Sequence, residues 1–230
     1  MSAPQARRAE IVNTFMRGVY GWMTAGLAVT AVTALAVAAS PTMLNLIFSN
    51  MFVFLLLFVA QIGLVFYLSA RINKLSASAA TGLFLLYSAL NGVTLSAILL
   101  VYAQSTIFSA FFTAAGMFAA MSLYGMTTKR DLTGMGQFMM MGVFGIIIAM
   151  VINMFVGSSA MEMAISVIGV IVFTGLTAYD SQKLRYMGET MPANDATAVR
   201  RGAILGALTL YLDFINLFLF LLRLMGGSRD

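Results

Sequence analysis

The stretch from Gly202 to Arg223, GAILGALTLYLDFINLFLFLLR, limits the choice of fold more than any other part of the chain. It is long enough to cross a membrane, because about 20 residues of helix span the ~30 Å hydrocarbon core. An ionisable residue, Asp213, interrupts it near the middle. On a helix, Gly202, Gly206, Thr209, Asp213 and Asn216 follow steps of four, three, four and three, so they share one face. Small residues, a hydroxyl, a carboxyl and an amide are poor contacts for lipid, and they suit close helix packing and interhelical hydrogen bonding. The stretch reads as the last helix of a bundle, its polar stripe turned inward, with Asp213 as a functional charge. The alternative is a protonated Asp213 that only bonds a neighbouring helix.

The rest of the chain has the same character. Of 230 residues, 61% are hydrophobic and 9% charged, with a mean hydropathy of +0.95. So few charges specify a polytopic membrane protein whose main partner is the lipid bilayer. Cysteine and histidine are both absent, which removes thiol chemistry, disulfides and the commonest zinc ligands. The net charge of +5 lies in short loops and reads as a topology signal, with no nucleic-acid surface implied. The N-terminus has no short apolar core followed by a small-residue cleavage site, so the first span is expected to direct insertion. The nineteen methionines read as gap fillers, since a copper path would call for Cys or His beside them.

Seven spans are expected, at about 20–39, 52–70, 79–101, 107–126, 138–156, 163–179 and 202–223. Pro41 ends the first, because it biases Ser40 out of the helix. Ser88, Asn91 and Thr94 recur at threes in the third and make one of its sides polar. The sixth closes on Asp180. Residues 1–17 are a cytoplasmic N-terminal tail, 18–225 a single seven-helix transmembrane domain and 226–230 a short C-terminal tail. The fourth and sixth spans both end on a Tyr followed by Lys or Arg (SLYGMTTKR, GLTAYDSQK), too slight a likeness for a duplication.

Eleven of the thirteen basic residues fall on one side: Arg7, Arg8, Arg17, Arg71, Lys74, Lys129, Arg130, Lys183, Arg185, Arg200 and Arg201. Only Arg223 and Arg229 fall on the other. The positive-inside rule then puts the N-terminus in the cytoplasm and the C-terminus outside. The connection GETMPANDATAVRR holds Gly, Pro, Asn and Asp together and reads as the mobile loop.

Of eight acids, six lie in tails, in loops or at a helix rim. Asp180 ends an apolar run and Asp213 interrupts one. Two carboxyls brought together in a low-dielectric bundle cannot easily both ionise, so they titrate as a unit. Deprotonated, the same pair offers oxygen ligands to a hard cation, which makes Asp180 and Asp213 the candidate Ca²⁺ contact. Arg71, closing the second span, is the natural cation to pair with them, or else a snorkelling topology signal. Depth leaves the pairing open. Asp213 should lie about 16 Å in from Gly202 at about 1.5 Å per residue, while Asp180 sits at the rim.

Five segments resemble the Bax inhibitor-1 family, also called the transmembrane Bax inhibitor motif family. They are VYGWMT at 19–24, LYSALNGVTLS at 86–96, SLYGMTTKRDL at 122–132, GLTAYDSQKL at 175–184 and LTLYLDFINLFLFLLR at 208–223. The likeness covers nearly the whole chain and is greatest to the bacterial inner-membrane branch. It implies an all-α membrane fold with six helices around a central seventh. It also implies a pH-sensitive calcium leak, with no cofactor and Ca²⁺ as the transported ion. Carried over residue by residue, the gate is Asp180, Asp213 and Arg71; the polar stripe of Gly206, Thr209 and Asn216, with Asn91, is expected from its spacing to support it. Some bacterial relatives are associated with a membrane-bound AAA protease as modulators, a role compatible with a leak.

Tyr179-Asp180 also resembles the YD step of intramembrane aspartyl proteases, whose chemistry is likewise two carboxyls sharing a proton. There the second aspartate follows Gly-x-Gly, whereas Asp213 follows Leu210-Tyr211-Leu212. Bulky residues in place of glycines argue against substrate backbone reaching the acid, so the expectation is no enzyme. The lysines, Lys74, Lys129 and Lys183, all lie near loops, so the seventh span has none to hold retinal as a Schiff base.

Overall fold

The computed structural model describes residues 3–192 and 195–226. Among them the chain is helical, with nine α-helices and one 3₁₀ turn. These are α1 (Ala3–Ala38), α2 (Pro41–Phe48), α3 (Met51–Arg71), the 3₁₀ turn Ile72–Lys74, α4 (Ala77–Leu95), α5 (Ile98–Val101), α6 (Gln104–Thr127), α7 (Thr133–Val156), α8 (Ser159–Thr190) and α9 (Ala196–Gly226). Seven are long and apolar enough to cross a membrane, the third being α4 with α5 as one run. The seven-span count is therefore the observed one. In α9, 72% of the apolar window is buried, against 6% to 44% in the other six.

Several boundaries differ from the sequence expectation, each for a local reason. The expected tail 1–17 is helical from Ala3, continuous with the first span. The connection after Ala38 contains α2. Ser40 caps it by accepting from the Met43 N–H, and Pro41 opens it at a position whose missing N–H costs nothing. Pro41 is thus both a stop and a start. The sixth span does not close at Asp180. α8 continues for ten more residues to Thr190, because Ser181, Leu184 and Gly188 extend its buried face at helical spacing. Much of the expected mobile loop is therefore helix, in α8 up to Thr190 and in α9 from Ala196. Asp195 starts α9 by accepting from the Ala198 N–H at 2.8 Å. Arg229 and Asp230 lie outside the described residues.

Contacts cluster into two units. The first takes the chain up to Tyr102 together with Met187–Tyr211, and the second takes Ala103–Tyr186 together with the chain from Leu212 on. In the first unit α1 packs closely on α4. A Cβ on Gly92 would overlap the Thr30 carbonyl, so only glycine permits that approach. Here the Thr30 hydroxyl lies 2.9 Å from the Ser88 carbonyl, 3.0 Å from the Gly26 carbonyl and 2.6 Å from the Tyr211 hydroxyl. Thr30 has one hydrogen and two carbonyls to give it to, so Tyr211 donates to Thr30. Phe84 and Tyr87 hold the fully buried Tyr211 ring edge-on.

In the second unit α8 lies against α6 and α7. A Cβ on Gly125 would overlap the Ala178 carbonyl, and one on Gly136 would overlap the Tyr179 ring. Phe214 of α9 packs edge-on against Phe111 and Phe118 of α6, and Phe220 stacks on Phe173 of α8.

Candidate functional site

Asp180 and Asp213 are both in the second unit, 6% and 5% exposed. Their carboxyls face each other as hydrogen-bond partners. The pairing that depth had left open is therefore made. Asp180 lies ten residues before the end of α8, about 15 Å along the axis. Asp213 Oδ2 is sealed from solvent and has no hydrogen-bond partner among the described residues. A buried acceptor left without a donor is costly. A proton on the pair lowers the cost of burying two carboxyls in contact.

The neighbours of Asp180 on α8 are each tied down. The Ser181 hydroxyl bonds that of Ser122 on α6 at 2.8 Å. Gln182 spans the α6–α7 connection: its Nε2 donates to the Arg130 carbonyl at 2.8 Å, and its Oε1 accepts from the Leu132 N–H at 2.9 Å. Arg185 donates to the Met126 carbonyl. Lys183, one turn on from Asp180, is electrostatically coupled to it and lies 5.8 Å from the centre of the Tyr179 ring. None of these residues figures in the sequence reading of the site. The i, i+3 spacing of Asp180 and Lys183 was the available signal for one of them. Gln182 and Ser181 carry no sequence signal, because their partners come from distant segments.

Arg71 is an exposed residue closing α3, in the first unit. Asn91 is buried and donates to the Tyr87 hydroxyl within α4 at 3.5 Å. Gly206 is buried, whereas Thr209 and Asn216 are half-buried. Both bond a carbonyl of their own helix: Thr209 that of Leu205 at 3.1 Å, Asn216 that of Leu212 at 2.8 Å. Tyr211, which the sequence reading noted only for its bulk, is the largest fully buried side chain described in α9.

Among the described residues no three of His, Cys, Asp and Glu gather into a metal centre. Two carboxyls supply only part of the six to eight oxygens that Ca²⁺ takes. The chemistry on offer is proton exchange and brief contact with a cation.

A family described as Inhibitor of apoptosis-promoting Bax1 matches residues 12–230. The chain belongs to the Bax inhibitor-1 family. Within it, the Escherichia coli K12 inner membrane protein YbhL is 53% identical over 218 residues, covering 95% of this chain and 93% of that protein. An uncharacterized protein of Borreliella burgdorferi is 48% identical, covering 96% and 94%. Another, from Deinococcus radiodurans, is 45% identical, covering 98% and 95%. As a Bax inhibitor-1 family protein with seven apolar helices, the chain is a multi-pass membrane protein related to an inner-membrane one.

Proposed function

We propose that this Bax inhibitor-1 family member is a pH-sensitive calcium leak of the bacterial inner membrane and not an enzyme. Asp180 and Asp213 are its gate, and the N-terminus lies in the cytoplasm. The observation that carries this reading is the pair of buried, facing carboxyls in an otherwise apolar helix bundle. With one shared proton the pair is a hydrogen bond linking α8 to α9. With that proton removed, two negative charges oppose each other at short range, relieved by Lys183 on α8 or by a passing cation. A shift of one pKa unit corresponds to about 1.4 kcal/mol between protonation states. A closed–open gap of a few kcal/mol is therefore tipped by the charge of the pair. Arg71 is an added latch in this reading, carried by the family resemblance. The heavy burial of α9 supports its reading as the central helix. The enclosed Tyr211 two residues before Asp213 supports the non-enzyme reading, since it stands where a protease would open the helix to its substrate.

The test is calcium flux into proteoliposomes over a pH series, with wild type beside Asp213→Asn. Flux that varies with pH in the wild type and flattens in the variant is the expected result. A wild type that passes no calcium at any pH overturns the leak. A variant with the wild-type profile moves the gate elsewhere.

A further inference from the structure

The first unit holds a groove of its own. The opening turns of α1 and α9 leave a groove of about 550 Å³ between them. One row on α1, Glu10, Thr14, Gly18 and Trp22, lines one wall at steps of four, and Arg200 and Ala203 stand on the facing wall. Gly18 sets the floor: a Cβ there would come 3.2 Å from that of Ala203, so the two helices nearly touch. The Arg200 guanidinium lies 5.5 Å from the Trp22 ring centre and donates to the Thr81 hydroxyl at 3.4 Å. Glu10 and Arg200 are both exposed.

We propose that this groove holds the headgroup of a bilayer phosphatidylethanolamine. Its place at the start of two membrane spans, with a Trp and an Arg on its walls, is that of the membrane–water interface. Arg200 has five N–H donors, and the contact with Thr81 occupies one, which leaves a fork for a phosphate. Glu10 offers only acceptors, which suit a primary ammonium. The Trp22 ring and the Gly18–Ala203 floor are apolar surface for the glycerol and the first acyl carbons. The volume suits a small-molecule site. A phosphatidylglycerol would satisfy Arg200 and leave Glu10 without a partner. A phosphatidylcholine would bring no N–H to Glu10.

Trp22 is the chain's single tryptophan, so its fluorescence reports on this groove. The full-length protein is reconstituted in phosphatidylcholine vesicles. Each of the three lipids is then added at equal mole fraction with a nitroxide near the glycerol. The ethanolamine lipid should compete for the groove about fivefold better than the other two, as befits exposed charge contacts. Arg200→Gln should weaken all three lipids, which share the phosphate, and leave the ethanolamine lipid ahead. Glu10→Gln should abolish the preference and make the three lipids equal. Equal quenching of the wild type by all three overturns the proposal, as does a preference that survives Glu10→Gln or an Arg200→Gln variant that binds all three as the wild type does. Relief of quenching by soluble glycerophosphoethanolamine would assign the groove to a free solute instead. If either variant loses its helical circular dichroism, the wild-type ranking alone decides.

Discussion

At the scale of single residues, the proposed gate requires the carboxyl pair to act as one titrating group. Asp180→Asn and Asp213→Asn should each remove most of the pH dependence of flux. The double variant should be no flatter than either single one, because the two side chains act through one shared proton. Additive flattening in the double variant would mean two independent groups. Tyr211 makes a different prediction. Tyr211→Phe keeps the ring but removes the donor to Thr30, which should cost about 1 kcal/mol or less, read by thermal unfolding in detergent. Asp131 gives a pH dependence outside the membrane. Its Oδ1 accepts from the Thr133 hydroxyl and N–H, which holds its carboxyl below the usual range. A lowered value means that the stability it contributes is present above the ordinary carboxylate pKa and is lost as pH falls through the lowered one. The stability gap between wild type and Asp131→Ala should therefore be constant above about pH 4 and shrink in stronger acid. Both aspartates of the pair were legible in the sequence, because a charge inside an apolar run is conspicuous. Tyr211 was not legible as a hydrogen-bonding residue. A tyrosine among leucines carries no mark of which helix will meet its hydroxyl.

At the scale of elements, α8 shows where hydropathy stops being informative. Its apolar run ends at Asp180, yet the helix goes on to Thr190. Ser181 and Gln182 are buried there by polar partners instead of by lipid or apolar side chains. A span read from hydropathy ends where the apolar residues end, whereas a helix ends where its hydrogen-bonded turns end. α2 was missed for a related reason: Ser40-Pro41 marks a boundary, and the sign of a stop and the sign of a start coincide in it. Gln182 is the element-level test. Gln182→Ala leaves the Leu132 N–H and the Arg130 carbonyl without their partner. It should destabilise by about 1–3 kcal/mol and speed exchange of the Leu132 amide. Wild-type exchange at Leu132 in that variant would show that the connection is held by something else.

For the molecule as a whole, the seven spans were readable because each is a long apolar run and the charged residues collect between them. The grouping of contacts into two units was not readable, since it depends on which helices meet and hydropathy is silent on that. A reporter fused to the C-terminus should behave as extracytoplasmic; cytoplasmic activity would reverse the orientation inferred from the basic loops. The close packing around Asp180 has a mechanical consequence. Ala178 and Tyr179 are seated against glycines of α6 and α7, and Ser181 and Gln182 are bonded to α6 and to the α6–α7 connection. α9 meets α6 and α8 in the same unit through aromatic rings and through the carboxyl pair. Phe214 meets Phe111 and Phe118 edge-on, whereas Phe220 is seated on Gly169 of α8 as Tyr179 is on Gly136. α8 is the element held by polar bonds to α6 and to the α6–α7 connection, so under the proposed gate a probe on α9 near Asp213 should register the displacement that accompanies a change of pH, while one on α8 near Asp180 stays still.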